Sequence, residues 1–206
     1  MIITEITELD KKRCKIFIDG EYAFVLYKGE IRDYRIKSGE EIDENSYNEI
    51  MTVVLPKRAK LRAMNLLQKK DYTEKQLRSK LAEGFYPADI VDTAISYVKS
   101  YKYLDDDRFA RDYITYHMEN RSRARITQDL VGKGISKELI AAAMDELYAD
   151  DDGSAEIEQI QSLLAKKHYD PANSDYKEKQ KVMAFLMRKG YSMSLIRKAI
   201  SIDEYE

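Results

Sequence analysis

Three stretches of this sequence decide its fold: LRSKLAEGFYPADIVDTAI at 77–95, ITQDLVGKGISKELIAAAM at 126–144 and VMAFLMRKGYSMSLIRKAI at 182–200. At offsets of +49 and +56 they carry apolar residues at the same positions. These are Leu77, Leu81, Ile90, Val91, Ala94 and Ile95, then Ile126, Leu130, Leu139, Ile140, Ala143 and Met144, then Val182, Leu186, Leu195, Ile196, Ala199 and Ile200. The spacing is that of helices with one buried face, so each stretch predicts a pair of amphipathic helices within a tandem repeat.

A glycine-containing corner joins the two helices of each pair. The corners are Gly84-Phe85-Tyr86-Pro87, Gly134-Ile135-Ser136 and Gly190-Tyr191-Ser192, and the first glycine comes one position early. Glycine enters the left-handed conformation after a helix at little cost, and Pro or Ser can start the next helix. We therefore expect a left-handed glycine at each corner.

A further helix precedes each pair, at 56–70, 105–120 and 154–167, so each repeat is a three-helix unit of about fifty residues. Such units bury little alone and stack on their neighbours, which predicts an elongated, curved array. The predicted boundaries are 57–103 for repeat 1, 104–149 for repeat 2 and 150–206 for repeat 3, with a loop at 168–175. Thr73 and Gln76 have the spacing of a capping box at the start of a helix.

The first 42 residues show the alternation of strands. Residues 14–18 and 22–26 alternate apolar and polar side chains, and Asp19-Gly20 between them is a strong hairpin signal. With an apolar run at 2–9 they predict a small antiparallel β-sheet of three strands, or of four if 31–36 forms another. The predicted fold class is mainly α, with this sheet as an extension over 1–42.

A connecting helix is predicted over 43–56. Asp43 or Ser46 can cap its start, because a short polar side chain accepts hydrogen bonds from the first free backbone N–H groups. Pro56 either ends this helix or starts the next one.

The composition indicates a helical protein without a catalytic motif. Charged residues make up 35% of the chain, and Gly and Pro number only 8 and 3. The single cysteine, Cys14, excludes an internal disulfide and suits a reducing cytosol. No stretch has the roughly 18 consecutive apolar residues of a membrane span, so we expect a soluble cytoplasmic protein. Nucleotide-binding, hydrolase and zinc-protease motifs are missing, so we expect no enzyme, cofactor or metal.

Charge is distributed unevenly along the chain. The formal net charge is −4 over 1–56, +6 over 57–133, −7 over 134–160 and +3 over 161–206. A basic segment favours an anionic partner, although helices also need charged faces merely to meet solvent. Arginine binds phosphates and carboxylates through its planar donor fork. The candidate partner contacts are Arg58, Arg62, Arg78, Lys80, Arg108, Arg111, Arg121, Arg123 and Arg125.

Acidic and aromatic clusters have two interpretations each. Asp105–Asp107 and Asp150–Asp152 could bind a divalent metal, but their place before predicted helices favours helix capping. The chain has 16 tyrosines, whose rings could stack on nucleic-acid bases. The spacing of Tyr97, Tyr101 and Tyr113 favours packing against the core instead.

Three stretches carry a family resemblance. Residues 103–113 read YLDDDRFARDY, 126–135 read ITQDLVGKGI and 72–81 read YTEKQLRSKL. They are similar to the L-D-D-x-x-F-A-x-x-Y signature, the I-x-x-[E/D]-L-x-x-K-G-I motif and the opening repeat of the RecX regulatory proteins, which modulate the RecA recombinase. The resemblance covers roughly 59–202. Ser122 stands where members often have Gly, and the acidic strip at 145–158 is heavier than usual.

The resemblance implies a protein that binds in the groove of the RecA–DNA filament. It would inhibit the ATPase, strand-exchange and coprotease activities of RecA in DNA repair, homologous recombination and the SOS response. The expected partners are the RecA filament and single- or double-stranded DNA, and the chain is expected to be a monomer. Alternatives remain open: a direct DNA-binding module, an adaptor for another assembly, or an enzyme with an unrecognised site.

Overall fold

The computed structural model describes residues 1–171 and 173–201. Ala172 of the predicted loop and the predicted end of repeat 3 at 202–206 lie outside the described residues. Two compact units divide the chain, Met1–Asp105 and Asp106–Glu206. Mainly helical structure with a small antiparallel sheet confirms the predicted fold class. The curvature of the array and the predicted domain boundaries stay predictions.

The first unit begins with a three-stranded antiparallel sheet in the order β1-β2-β3. The strands are β1 (Ile3–Glu8), β2 (Arg13–Ile18) and β3 (Glu21–Tyr27). Asp19 and Gly20 turn the β2–β3 hairpin with φ values of 51° and 87°, the positive pair that a tight hairpin requires. Ile16 and Phe24 are fully buried on the inner face of the sheet.

The predicted fourth strand at 31–36 is wrong. Helix α1 covers Lys28–Asp33, and the Glu30 carboxylate accepts a hydrogen bond from the Tyr27 backbone N–H at its start (2.8 Å). Ile31 and Tyr34 are three residues apart, which places them on one face of a helical turn, and both pack partly buried on the core. Spacing over so short a segment cannot separate one helical turn from a strand.

The connecting segment is helical as predicted. Helix α2 (Glu44–Glu49) begins at Asp43, whose carboxylate accepts a hydrogen bond from the Ser46 N–H (2.9 Å). A π-helical turn at Ile50–Val54 then leads into α3 (Leu55–Leu67). Pro56 lies in the first turn of α3 and has no N–H to donate, and the wider turn pairs the Leu55 N–H with the Ile50 carbonyl instead. The backbone is helical without a break from Glu44 to Leu67, so Pro56 neither ends one helix nor starts a separate one.

The predicted helix pairs are all present. The remaining helices are α4 (Glu74–Ala82), α5 (Ala88–Ser100), α6 (Asp106–His117), α7 (Arg123–Lys133), α8 (Lys137–Leu147), α9 (Ser154–Lys166), α10 (Tyr176–Arg188) and α11 (Met193–Ser201). Leu81, Leu130 and Leu186, which occupy equivalent repeat positions, are each 0% exposed. Thr73 and Gln76 form the predicted capping box at α4. With α3, α6 and α9 as first helices, the three helical triplets follow the predicted period.

The corners of the helix pairs differ in one respect from the prediction. Gly134 and Gly190 are left-handed, both with φ 93°, but in the first pair the left-handed residue is Phe85 (φ 63°) and not Gly84. The conformation belongs to the position four residues after the buried leucine, and Phe85 occupies it. Its ring lies beneath the Lys15 ammonium (4.4 Å) and its carbonyl accepts a hydrogen bond from the Tyr22 hydroxyl (2.5 Å), contacts that hold it there.

Each unit has its own apolar core. In the first unit one cluster joins the inner face of the sheet to α3, α4 and α5. In the second unit one cluster lies within α6–α8 and another within α9–α11. None of the helices in the described part of the chain is both long and apolar enough to cross a membrane.

Candidate functional site

Arg58 in the first unit ties helix α3 to the sheet. Its guanidinium donates to the Val25 carbonyl (3.1 Å), pairs with the Glu30 carboxylate and lies over the Tyr27 ring (4.7 Å). Only 19% of the side chain is exposed. One hydrogen bond from each terminal nitrogen of the guanidinium is thus made within the first unit, so the side chain holds α3 against β3 and α1.

The other candidates of the first unit differ in their pairing. Arg78 binds the Glu74 carboxylate (2.8 Å) and the Asp92 carboxylate (2.5 Å), and Lys80 binds Glu83 (2.7 Å). The hydrogen bond from Lys99 is the largest cause that lowers the pKa of Glu74, and Arg78 adds to it against the opposing effect of burial. Arg62 is exposed and has no ion pair with any described residue.

Helix α6 carries two candidates of the second unit, and its acidic start has a structural role. Arg111 pairs with Asp107 (2.9 Å) and Glu146 (2.6 Å), and these two carboxylates raise the pKa of its guanidinium. Arg108 is exposed. The helix begins at Asp106, as expected if the aspartates stabilise a helix start. Within 1–171 and 173–201, no three His, Cys, Asp or Glu side chains cluster as a metal site requires.

Arg121, Arg123 and Arg125 alternate in the sequence and form an arginine cluster, but Arg123 lies apart from the other two and anchors α9. Its guanidinium donates to the Asp151 carboxylate (2.6 Å) and lies over the Tyr148 ring (4.1 Å), and its backbone N–H donates to the buried Glu156 carboxylate (3.0 Å). Burial alone would raise the pKa of Asp151, but hydrogen bonds from Arg123 and from the Gly153 and Ala155 backbone outweigh it, so that pKa is lowered.

The second acidic cluster caps helix α9 as predicted. Asp151 accepts hydrogen bonds from the Gly153 N–H (2.9 Å) and the Ala155 N–H (3.5 Å). Asp152 accepts one from the Ser154 N–H (3.0 Å) at the first residue of the helix. The heavy acidic strip therefore includes groups that close a helix end and bind Arg123.

Arg121 and Arg125 are four residues apart at the start of α7 and both bind Asp129. The Arg121 guanidinium donates to the Asp129 carboxylate at 2.7 Å, and Arg125 Nε lies 3.2 Å from it. The Arg121 side chain is 39% exposed and the Arg125 side chain is 53% exposed. One carboxylate thus balances two arginines, and net positive charge is left beside it.

A cavity of about 400 Å³ adjoins these two arginines, where the end of α10 meets the start of α7. Its lining residues are Asn120, Arg121, Ser122, Arg125, Arg188, Lys189 and Tyr191. Arg188 and Lys189 are exposed, and neither forms an ion pair with a described residue. Sequence reasoning missed these two cations, because only the fold brings them to the arginines that precede Ile126.

Ser122 and Gly190 bring the two helix ends together. The Ser122 hydroxyl donates to the Lys189 carbonyl (2.8 Å) and accepts from the Arg125 N–H (3.2 Å), and the serine is fully buried. A Cβ at Gly190 would lie 2.5 Å from the Ser122 hydroxyl oxygen, so only glycine allows this approach. Ser122 also lines the cavity, and nothing in the sequence spacing indicates its contact with the end of α10.

A row of aromatic rings leads away from Arg121 along α6. Arg121 donates to the Tyr113 hydroxyl (3.0 Å), the Tyr113 and His117 ring centroids are 4.3 Å apart, and those of His117 and Tyr116 are 4.9 Å apart. Burial lowers the pKa of His117, and the charge of Arg121 adds to this. Tyr116 is 79% exposed. The packing expected of Tyr97 and Tyr113 is confirmed. Tyr101 is 57% exposed and packs on the rings of Tyr97 and Tyr103 instead of on the core.

Family models match each of the three helical triplets in order. The first, second and third three-helix domains of RecX match residues 59–97, 105–144 and 154–200. The chain belongs to the RecX family. "Regulatory protein RecX" of Caldanaerobacter subterraneus subsp. tengcongensis is 31% identical over 98% of this chain and 100% of its own. The protein of the same name from Clostridioides difficile is 30% identical over 100% of this chain and 99% of its own.

Solved RecX structures share the fold. A crystal structure of regulatory protein RecX has a TM-score of 0.64 and 25% identity, over 96% of this chain and 98% of that one. RecX from Lactobacillus salivarius gives a TM-score of 0.61 at 21% identity, over 72% of this chain and 96% of that one. With relatives that bear this name over its full length, the chain is a regulatory protein of the RecX type.

The RecX signature at 103–113 lies largely in structural positions. Leu104 and Ala110 are buried, and Phe109 and Tyr113 pack partly buried on the core of the α6–α8 triplet. The signature therefore consists largely of residues that pack in and next to helix α6. Ser122, the departure from the usual glycine, caps α7 and binds the end of α10.

Proposed function

We propose that this RecX chain binds the RecA–DNA filament and inhibits its ATPase, strand-exchange and coprotease activities. It would act without a cofactor and without chemistry of its own, as a cytoplasmic monomer in DNA repair and recombination. The observation that carries the proposal is the succession of three RecX three-helix domains in a chain whose relatives are named regulatory proteins.

The distribution of free positive charge supports binding without catalysis. Arg121 and Arg125 share one carboxylate, and Arg188 and Lys189 have no acidic partner within the described residues. Guanidinium and ammonium groups whose charge is not balanced by a neighbouring carboxylate attract phosphates and acidic side chains. Consecutive helical triplets could bind neighbouring protomers of a filament, and linked contacts of that kind raise the overall affinity without any single strong site.

The test is the single-stranded-DNA-dependent ATPase of RecA, measured as increasing amounts of this protein are added. Inhibition at equimolar protein is the expected result, and an unchanged ATPase rate would contradict the proposal. A parallel titration against DNA without RecA separates the alternatives. Tight binding to bare DNA with no effect on RecA would favour a direct DNA-binding module.

A further inference from the structure

The cavity between the ends of α7 and α10 carries more positive charge than its surroundings balance. Arg121, Arg125, Arg188 and Lys189 line it, and Asp129 is the carboxylate that binds two of them. The cavity is about 400 Å³ and its cationic side chains are partly or fully exposed. It can therefore admit a group that carries negative charge on several oxygens and is attached to a larger molecule.

The lining offers hydrogen-bond donors of several kinds to one anion. Arginine forks bind the oxygens of a phosphate in pairs, and a lysine ammonium adds a point charge. The Tyr191 hydroxyl donates to the Gln159 side chain (2.8 Å), and a protonated phenol brings no negative charge to the cavity. Four cations around one cavity match consecutive charges along a phosphodiester strand better than they match a single carboxylate.

The adjacent aromatic row indicates which phosphate-bearing molecule fits. Arg121 lines the cavity and also donates to the Tyr113 hydroxyl, from which His117 and the exposed Tyr116 follow by ring contacts. Exposed rings beside a cationic groove are the arrangement on which unpaired bases stack, whereas an acidic peptide needs no such surface.

We propose that this cavity binds a backbone phosphate of single-stranded DNA, with a neighbouring base on Tyr116. The inference deepens the proposed function, because the filament contains such a strand, but it is tested without RecA. Arg188→Gln with Lys189→Gln removes two cations that have no acidic partner among the described residues. Substituting Arg121 and Arg125 together is unsuitable, because it would leave the Asp129 carboxylate without either of its cations, and only 16% of that side chain is exposed. Lys177→Gln with Lys181→Gln, also on α10 and exposed, is the matched control.

Fluorescence anisotropy with a labelled oligothymidine at several salt concentrations measures the effect. The cavity variant should bind roughly tenfold more weakly than the wild type, as expected when charge-assisted hydrogen bonds are removed. In a plot of the logarithm of the binding constant against the logarithm of the salt concentration, the magnitude of the slope should fall by about 0.7 for each phosphate that the variant no longer neutralises. The control variant should stay within about twofold of the wild type, because its cations are outside the cavity. Tyr116→Ala should weaken binding roughly fivefold.

Several results would overturn the inference. Equally weakened binding in the cavity and control variants would mean that only general charge matters, and unchanged binding in the cavity variant would exclude the site. Unchanged binding of Tyr116→Ala would exclude the stacking base. Binding of a fluorescent ATP analogue instead of the oligonucleotide would assign the cavity to a free nucleotide. If the cavity variant keeps oligonucleotide binding but no longer inhibits the RecA ATPase, the cavity contacts an acidic group of RecA, and the proposed function stands without this inference.

Discussion

Arg58 and Arg78 in the first unit lie in different electrostatic surroundings from Arg121 and Arg125 in the second unit. In the first, Arg58 and Arg78 each bind carboxylates, and Arg58 also binds a strand carbonyl. In the second unit, Arg121 and Arg125 both bind the Asp129 carboxylate. Arg188 and Lys189, which are far away in the sequence at the end of α10, line the same cavity. Similar clusters in the sequence therefore have different roles, and only the pairing of each side chain shows which arginines are available to a partner.

The difference extends into the arginine cluster itself. Arg121, Arg123 and Arg125 alternate in sequence, yet Arg123 binds Asp151 and stacks on Tyr148 while the other two border the cavity. Arg123 therefore belongs with Arg58 as a residue that holds helices together. If Arg123 holds helices together and Arg125 does not, substituting each of them should change the stability by different amounts.

Arg123→Ala should have the largest effect, a decrease of about 3 kcal/mol in the free energy of unfolding. The substitution leaves the buried Glu156 carboxylate and Asp151 without their cation. Chemical denaturation measures the change. Arg125→Ala is the matched control, since its side chain is 53% exposed, and it should cost less than about 1 kcal/mol. Equal decreases in the two variants would contradict the division.

Tyr191 predicts a pH dependence of stability in the second unit. Burial raises its pKa from 10.0 to about 12 in the folded chain, so the contribution is complete below pH 10 and is lost as the pH rises towards 12. The folded state keeps the proton that the unfolded state releases in this range. The decrease amounts to about 2 to 3 kcal/mol. Tyr191→Phe should remove this part of the alkaline decline, and parallel stability curves for the two proteins would show that Tyr191 does not cause it.

Arg58→Ala should destabilise the first unit by about 2 kcal/mol, because the Glu30 carboxylate and the Val25 carbonyl lose their donor. Arg62→Ala, on the same helix and exposed, should change the free energy of unfolding by less than about 0.5 kcal/mol. Thermal and chemical denaturation of both variants test this contrast. A stable Arg58→Ala protein would return Arg58 to the set of available contacts.

The corners of the repeats predict the smallest effect. Gly134→Ala places a Cβ on a left-handed residue and should cost about 1 kcal/mol. Phe85→Gly relieves a similar strain but removes the ring beneath Lys15, so the two effects should largely cancel. Chemical denaturation of both variants measures the difference. A decrease of several kcal/mol in Phe85→Gly would mean that the ring holds the sheet far more strongly than one cation contact implies.

Local features of the fold could be predicted from the sequence, and long-range ones could not. The apolar period, the Asp43 cap and the Thr73 capping box depend on residues within one or two turns of each other. The six-residue helix at 28–33 is too short for its period to be recognised. Phe85 occupies the repeat position that is left-handed, and its contacts with Lys15 and Tyr22 hold it there. The local preference of glycine for this conformation points to Gly84 instead.

The candidate site was predictable only in part for the same reason. Arg121 and Arg125 stand out in the sequence by their spacing, and both line the cavity. Arg188 and Lys189 reach it through the hydrogen bond between the Ser122 hydroxyl and the Lys189 carbonyl, which joins residues 67 positions apart. No period or motif reports such a long-range bond. Lys189 and Lys133 occupy equivalent positions in their repeats. The sequence does not show which of these two lysines contacts a second helical triplet.

Co-sedimentation with RecA filaments assembled on single-stranded DNA tests the central claim most directly. The wild-type chain should sediment with the filaments, and the Lys177→Gln, Lys181→Gln control should do the same. The Arg188→Gln, Lys189→Gln variant should need roughly tenfold more protein to reach the same bound fraction. If the wild-type chain stays in the supernatant with filaments present, the chain does not bind the filament and the proposed function is wrong.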